Sequence, residues 1–307
     1  MKEFIFNTIR SILLLCTTLV LSQEHGEAVI FLFEQNNISM NSVEYSSSFS
    51  TSGTELYFTR SKGKWGAADL KSAIYHSVKN NGKWSTPKLA PFSGQFDDSD
   101  PHLSADGNTL YFISKRPTDG IPISADIWAV KRNGMGNWEK PFRLDSPLNS
   151  EAGEYSPYTD DLGNLYFASD RPNGYGQGDL YMAKIENEVF KKPINLGTMV
   201  NTDKGEWNLA INGKGDLLIF EASERKENVS SYGDLYISFK MDGKWTIPQN
   251  IKELNTSGSD LYPHLVNHGS TLFYTSSNNL KSMDTNIYFT DFTPIYEKYR
   301  AKAVLSN

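Results

Sequence analysis

Residues 101–114 read Pro-His-Leu-Ser-Ala-Asp-Gly-Asn-Thr-Leu-Tyr-Phe-Ile-Ser. Turn-forming Asp-Gly-Asn separates two short β-type runs, which is the pattern of a hairpin. The second run carries Leu110-Tyr111-Phe112. The same core returns as Leu56-Tyr57-Phe58, Leu165-Tyr166-Phe167, Leu218-Ile219-Phe220 and Leu272-Phe273-Tyr274, with leucines spaced by 54, 55, 53 and 54 residues. A fixed period of that length marks a repeat architecture.

Other landmarks keep the same order. Ten to twelve residues before each leucine stands an acid: Glu44, Asp98, Glu154, Glu206 and Asp260. After it come Ile74-Tyr75, Ile127-Trp128, Leu180-Tyr181, Leu235-Tyr236 and Ile287-Tyr288, preceded directly by Asp126, Asp179 and Asp234 in three copies. Four copies then carry an aromatic with Pro three residues on: Trp84/Pro87, Trp138/Pro141, Phe190/Pro193 and Trp245/Pro248. Three end in Asn149-Ser150, Asn201-Thr202 and Asn255-Thr256. Each landmark lies in a short β-type run bounded by Gly, Asp, Asn or Pro. Four antiparallel strands per unit make a propeller blade. Alternation along the second strand puts Leu and Phe on one face and Tyr on the other. Both faces of a blade pack on neighbours, so both positions are large and apolar.

The expected fold is therefore all-β: a five-bladed propeller of four-stranded antiparallel blades. The fifth unit lacks the aromatic-Pro segment. Ala28–Phe33 (AVIFLF), followed by Met40-Asn41-Ser42 and Glu44, matches that missing strand and its connection. An N-terminal strand is thus expected to complete blade five and close the ring. The expected boundaries are about 44–97, 98–153, 154–205, 206–259 and 260–292 for the repeats, within a domain of 23–292. A tail over 293–307 is expected to hold a short helix.

The N-terminus reads differently. Lys2 and Arg10 precede Ser11–Leu21 (SILLLCTTLVL), and Ser22 offers a small residue before Gln23. Residues 1–22 have the form of a secretory signal peptide, and the apolar run is short for a membrane span. Leu13-Leu14-Leu15 before Cys16 departs from a lipoprotein cleavage site, which needs a small residue there. The sequence thus predicts an exported protein, periplasmic or secreted, with no later transmembrane segment. Cys16 is the one cysteine among 307 residues, so beyond the leader cysteine-based metal sites, disulfides and nucleophiles are excluded. A formal charge of −6 without a basic cluster argues against nucleic acid as partner.

In residues 101–114, and in 163–181 (GNLYFASDRPNGYGQGDLY), the chain resembles the TolB-like, WD40-like β-propeller repeat family, over roughly residues 28–292. The resemblance implies the fold; these repeats serve many roles. Unit one lacks the Pro of the first strand, unit four has Asn208-Leu209 there, and unit five lacks the Arg and the Gly-rich loop. Kelch propellers fit less well, because their double-Gly signal is missing.

Candidate chemistry sits on the repeated frame. The five acids can ring one mouth of the channel as a cation or polar-ligand site, or each can cap the start of its strand. His102 and His264 share one repeat position, where the other units have Ser48, Tyr158 and Ala210. Variation on a repeated frame is where a specific site can live. The candidate ligand-binding residues are thus Asp98, His102, Tyr158, Asp260 and His264. If the protein is an enzyme, the catalytic candidates are His102, Glu154, Glu206 and His264, with the carboxylates dividing acid and base roles. No cofactor and no metal site is assigned, although the acids could hold a divalent cation. Arg60, Arg116, Arg171 and Arg225 are expected to pair within each blade with Asp126, Asp179 and Asp234 across the hairpin. Trp65, Tyr175 and Tyr232 lie in Gly-rich loops as candidate sugar or protein contacts. There is no P-loop, dinucleotide fingerprint, H-E-x-x-H or G-x-S-x-G. The function expected is extracytoplasmic binding or scaffolding, directed at a protein or an envelope glycan. The alternative is a carbohydrate-active hydrolase or lyase with its site at the channel.

Overall fold

The computed structural model describes residues 23–25, 28–40, 42–62, 71–277 and 284–306. The leader-like residues 1–22 and Trp65 lie outside them. Five antiparallel sheets follow one another around an axis. The inner strands are Val43–Phe49, Asp98–Leu103, Glu154–Thr159, Gly205–Ile211 and Asp260–Val266. Each pairs with the strand carrying its Leu-aromatic core, and that strand pairs with a third, Lys71–Asn80 in blade one and Asn286–Asp291 in blade five. The fourth strands are short. In blades one and four, Pro87 and Pro248 split them into Lys83–Trp84 with Lys88–Leu89, and Lys244–Trp245 with Gln249–Asn250. Proline has no N–H to give the ladder, so it falls where pairing breaks.

Closure runs through the N-terminus, as the truncated fifth repeat implies. Ala28–Leu32 is the outer strand of blade five, pairing Ile30 with Thr290, Phe31 with Phe289 and Leu32 with Tyr288. A second N-terminal strand, Gln23–His25, adds outside it. A short helix, α1 (Thr293–Arg300), follows blade five with Pro294 in its first turn, where a missing N–H costs nothing. It buries Ile295 and Tyr299 over the seam between blades four and five.

Among the described residues, the core is five clusters, one per seam. Leu165 and Phe167 face blade two while Tyr166 and Ala168 face blade four, as the two-residue period of a strand requires. All five core leucines (Leu56, Leu110, Leu165, Leu218 and Leu272) are fully buried.

The repeated acid fastens the seams. Glu154 accepts the Ser150 amide and hydroxyl (3.1 and 2.6 Å) and the Ser169 hydroxyl (3.0 Å). Arg171 donates to Glu154 (3.0 Å) and to the Leu148 carbonyl (2.6 Å) of the incoming connection. The guanidinium lies over Phe167 and Tyr181, about 5 Å from each ring centre. Arg60–Glu44, Arg116–Asp98 and Arg225–Glu206 repeat the arrangement, each with a bond to the preceding connection at Ile38, Phe92 or Val200. The expected pairing of these arginines with Asp126, Asp179 and Asp234 is therefore corrected. Asp126 pairs with Arg143, while Asp179 and Asp234 accept loop amides and the side chains of Asn195 and Asn250. Arginine is long enough to reach back within its own blade to the acid that starts the inner strand, where the carboxylate is dry and fixed. Asn149, Asn201 and Asn255 complete each connection by bonding both backbone groups of the third strand, at Ile127, Leu180 and Leu235.

The closing strand should matter for stability through Phe33, which packs against Phe49, Trp84 and Phe273 across the first seam. Phe33→Ala is expected to cost about 3–5 kcal/mol in urea unfolding. Val29→Ala, at a 44% exposed position of the same strand, should stay within about 0.5 kcal/mol.

Candidate functional site

Every inner strand carries a bulge two residues beyond its acid or one position later, visible as a register shift against the second strand. Ser46, Asp100, Ser156 and Tyr262 occupy this position with φ of 50°, 53°, 50° and 49°. Left-handed backbone is uncommon for non-glycine residues and a genuine outlier for a ring as large as tyrosine. Bulges re-aim side chains, and are common beside functional sites. Here the re-aimed side chains latch neighbouring blades: Asp100 Oδ2 accepts the Ser156 amide (3.1 Å) and Asn208 Oδ1 accepts the Tyr262 amide (3.3 Å).

Two residues further on, His102, Tyr158 and His264 meet near the axis. Ring centres are 4.1 Å apart for His102–Tyr158, 5.4 Å for Tyr158–His264 and 6.2 Å for His102–His264. All three are buried. Burial lowers His264 to about 3 and His102 well below its ordinary value, so both imidazoles are neutral at physiological pH. His264 Nε2 accepts the Phe49 amide (3.2 Å) and His102 Nε2 accepts the Thr159 amide (3.0 Å). These bonds occupy the lone pair that a metal or a proton would need. Among the described residues no group of three His, Cys, Asp or Glu is placed to hold a metal ion.

The cluster plugs the channel. Beneath it, on the side of the hairpins linking first and second strands, is a cavity of about 540 Å³. Above it a constriction of about 10 Å³, room for roughly one water, leads past Asp100 and Tyr262. Beyond lies a cup of about 250 Å³ on the face where the inner strands begin. Asp98, Glu154, Glu206 and Asp260 line neither the cup, the constriction nor the lower cavity; their carboxyls are fully buried in the seams. Of the sequence candidates, His102, Tyr158 and His264 therefore come together, and the acids stay apart from them. Tyr232 reaches the cup wall, and Tyr175 is half exposed elsewhere.

The cup is built mainly from residues that the sequence reading passed over. Tyr155 and Trp207, each following a seam acid, stand edge to face with ring centres 5.7 Å apart. Asp100 and Glu221 add two carboxyls, each 4% exposed. Burial raises Asp100 to about 6, against the Ser156 amide and the Ser99 and Tyr262 hydroxyls; no hydrogen bond of good geometry reaches its Oδ1. Burial raises Glu221 well above the carboxylate range, and the Glu206 and Asp234 charges add to this. A signal for Glu221 was present in the repeat: it occupies the position of Thr59, Ile113, Ala168 and Thr275, directly after the aromatic.

No protein-family model matches the chain, and no curated protein matches it. Among solved structures, a glycoside hydrolase is similar with a TM-score of 0.55 at 12% identity, over 87% of this chain and 91% of the other. Zg3597, a family 117 glycoside hydrolase of the marine bacterium Zobellia galactanivorans, gives 0.54 at 11% identity, over 88% and 91%. A putative TolB from Agrobacterium tumefaciens gives 0.49 at 14%, over 76% and 70%. At such identities the likeness is one of fold, and the class is a five-bladed β-propeller. Among the described residues no helix is long and apolar enough to cross a membrane.

Two stability outcomes follow. Glu154→Ala leaves Arg171 without its buried partner and should cost about 3–5 kcal/mol. Asp260 differs from the other seam acids in having no arginine beside it among the described residues; burial raises it to about 7 from 3.8, against hydrogen bonds from Ser276 and Thr256. The folded state thus holds a proton here that the unfolded chain releases near pH 4. Its contribution is full below pH 4 and is lost as pH rises to 7. Asp260→Asn should therefore stabilise the protein more at pH 8 than at pH 5, by on the order of 1–3 kcal/mol in paired urea titrations.

Proposed function

We propose that the protein is an extracytoplasmic binding propeller that takes an envelope glycan into the cup on its strand-entry face. The observation that carries this is the wall itself: the aromatic residues Tyr155, Trp207 and Tyr232 line it together with polar Asn208, Asp100 and Glu221. Rings give a sugar its apolar faces, and side chains fixed by packing give its hydroxyls hydrogen bonds, at low entropic cost. The aromatic cluster of His102, Tyr158 and His264 forms a closed floor. The leader-like N-terminus supports export, and the mildly acidic surface suits a neutral or cationic ligand.

A hydrolase or lyase at the same cup is the second reading. It is favoured by Asp100 and Glu221, whose carboxyls are raised towards the range in which glycosidase acids work.

The test is tryptophan fluorescence and calorimetry against a panel of bacterial and plant cell-wall oligosaccharides. Binding in the cup should weaken by about two- to tenfold in Trp207→Ala, the scale of one aromatic contact. It should be unchanged in Tyr175→Ala. Equal binding by both variants would remove the cup as the site. Chromatography of the bound sugar then separates the readings: intact recovery supports binding alone, and cleavage supports the hydrolase or lyase.

A further inference from the structure

The cup holds two buried carboxyls with no basic side chain beside them among the described residues. In the seams, four repeated carboxylates each have an arginine. In the cup, Asp100 and Glu221 are nearly as buried, yet among the described residues no Lys, Arg or His lines it. Among the described residues no hydrogen bond or ion pair reaches the Glu221 carboxyl, and beside the Ser99 and Tyr262 hydroxyls no hydrogen bond of good geometry reaches Asp100 Oδ1. Both are departures from the repeat. Asp100 stands where the other blades have Ser46, Ser156, Asn208 and Tyr262, and Glu221 where they have Thr, Ile, Ala and Thr. Two independent departures converge on one cavity.

The loop beside Glu221 is moulded to it. Gly233 has φ of 155°, and a Cβ there would lie 2.5 Å from Glu221 Oε1. Only glycine lets this loop close over the carboxyl. Around the two carboxyls stand the rings of Tyr155, Trp207, Tyr232 and Tyr262. Buried carboxyls with no counter-cation among the described residues, walled by aromatic rings, form an environment suited to an organic cation: the rings interact with it through their π-systems, and the carboxyls ionise to pair with it.

We infer that the cup recognises a protonated amine or quaternary ammonium group on its ligand, with Glu221 and Asp100 as its counter-charges and the four rings as its cage. This rests on the reading of the cup as the ligand site and names the chemistry selected there. The same arrangement gives an anionic sugar no partner cation among the described residues, so such a ligand is not selected. Binding moves no covalent bond. It draws the two carboxyls into their ionised form, so protons are released to solvent.

The experiment compares ligands that differ only in charge. Oligomers of glucosamine, two to four units long, are titrated by calorimetry beside their fully N-acetylated counterparts, which keep the rings and lose the ammonium. Choline and spermidine form a third arm. The free-amine oligomer is expected to bind at least tenfold more tightly than the acetylated one. Glu221→Gln and Asp100→Asn should each abolish most of that preference. Both variants should fold: glutamine matches the shape of a protonated Glu221, and asparagine can still accept the Ser156 amide. A melting temperature at or above wild type checks this. Choline or spermidine binding as tightly as the oligomer identifies a free ammonium ligand; much weaker binding identifies an amino sugar. Either result supports the inference. Equal affinity for free and acetylated oligomers, or a preference unchanged in Glu221→Gln, overturns it. So does failure of every ammonium probe to bind. In that case Trp207-dependent binding of neutral oligosaccharides keeps the cup as a glycan site, and only the charge selection falls.

Discussion

The molecule depends on a buried carboxylate held at the entry to each blade. A charge taken out of water is costly unless hydrogen bonds and a counter-ion surround it. Four blades meet that demand with groups from two directions: hydroxyls and amides of the incoming connection, and an arginine from the blade's own second strand. Because the arginine also bonds the carbonyl of the connection, satisfying the charge fixes each blade against the chain arriving from the one before. In blade five the carboxyl of Asp260 keeps Thr256 but has no arginine among the described residues, and it holds its proton instead. That is the blade closed by backbone pairing to the N-terminal strand, so a ladder of hydrogen bonds and the Phe33 cluster fasten the ring there.

With the seams fastened by one repeated device, the axial ends of the inner strands are free to differ. Each bulge turns one side chain inward, and the repeat does not dictate which. Serine, aspartate, asparagine and tyrosine all occupy the position, and the result is a closed histidine–tyrosine floor under an asymmetric cup. The two histidines hold the floor together. Each spends its Nε2 on a backbone amide of another blade, and burial keeps both neutral.

Much of the fold was legible from periodicity. The leucine spacing located the five second strands, the early end of the fifth unit pointed to closure by Ala28–Phe33, and the tail was readable as a short helix. The partner of the repeated arginines was not legible. Hairpin register places Arg171 near Asp179 in sequence logic, whereas reach and desolvation place it on Glu154. The site was legible only in part. His102, Tyr158 and His264 stood out as variation on a shared position and do converge. Asp100 was hidden beside the repeated Asp98, and Glu221, the one charged residue among Thr59, Ile113, Ala168 and Thr275, carried a signal that periodicity alone does not tie to a cavity.

The sequence by itself determined the five-fold repeat, the strand order, the alternation that buries both faces of every blade, and the acid that starts each unit. These are local or periodic properties, and a period of 2 within strands and of about 54 between them survives in one dimension. Only the tertiary structure decided which departures from the repeat share a cavity. Asp100, Tyr155, Trp207, Glu221 and Tyr262 come from four blades and are joined only by closure of the ring. The dryness that raises two of their carboxyls is a property of the walls around them, not of any residue alone.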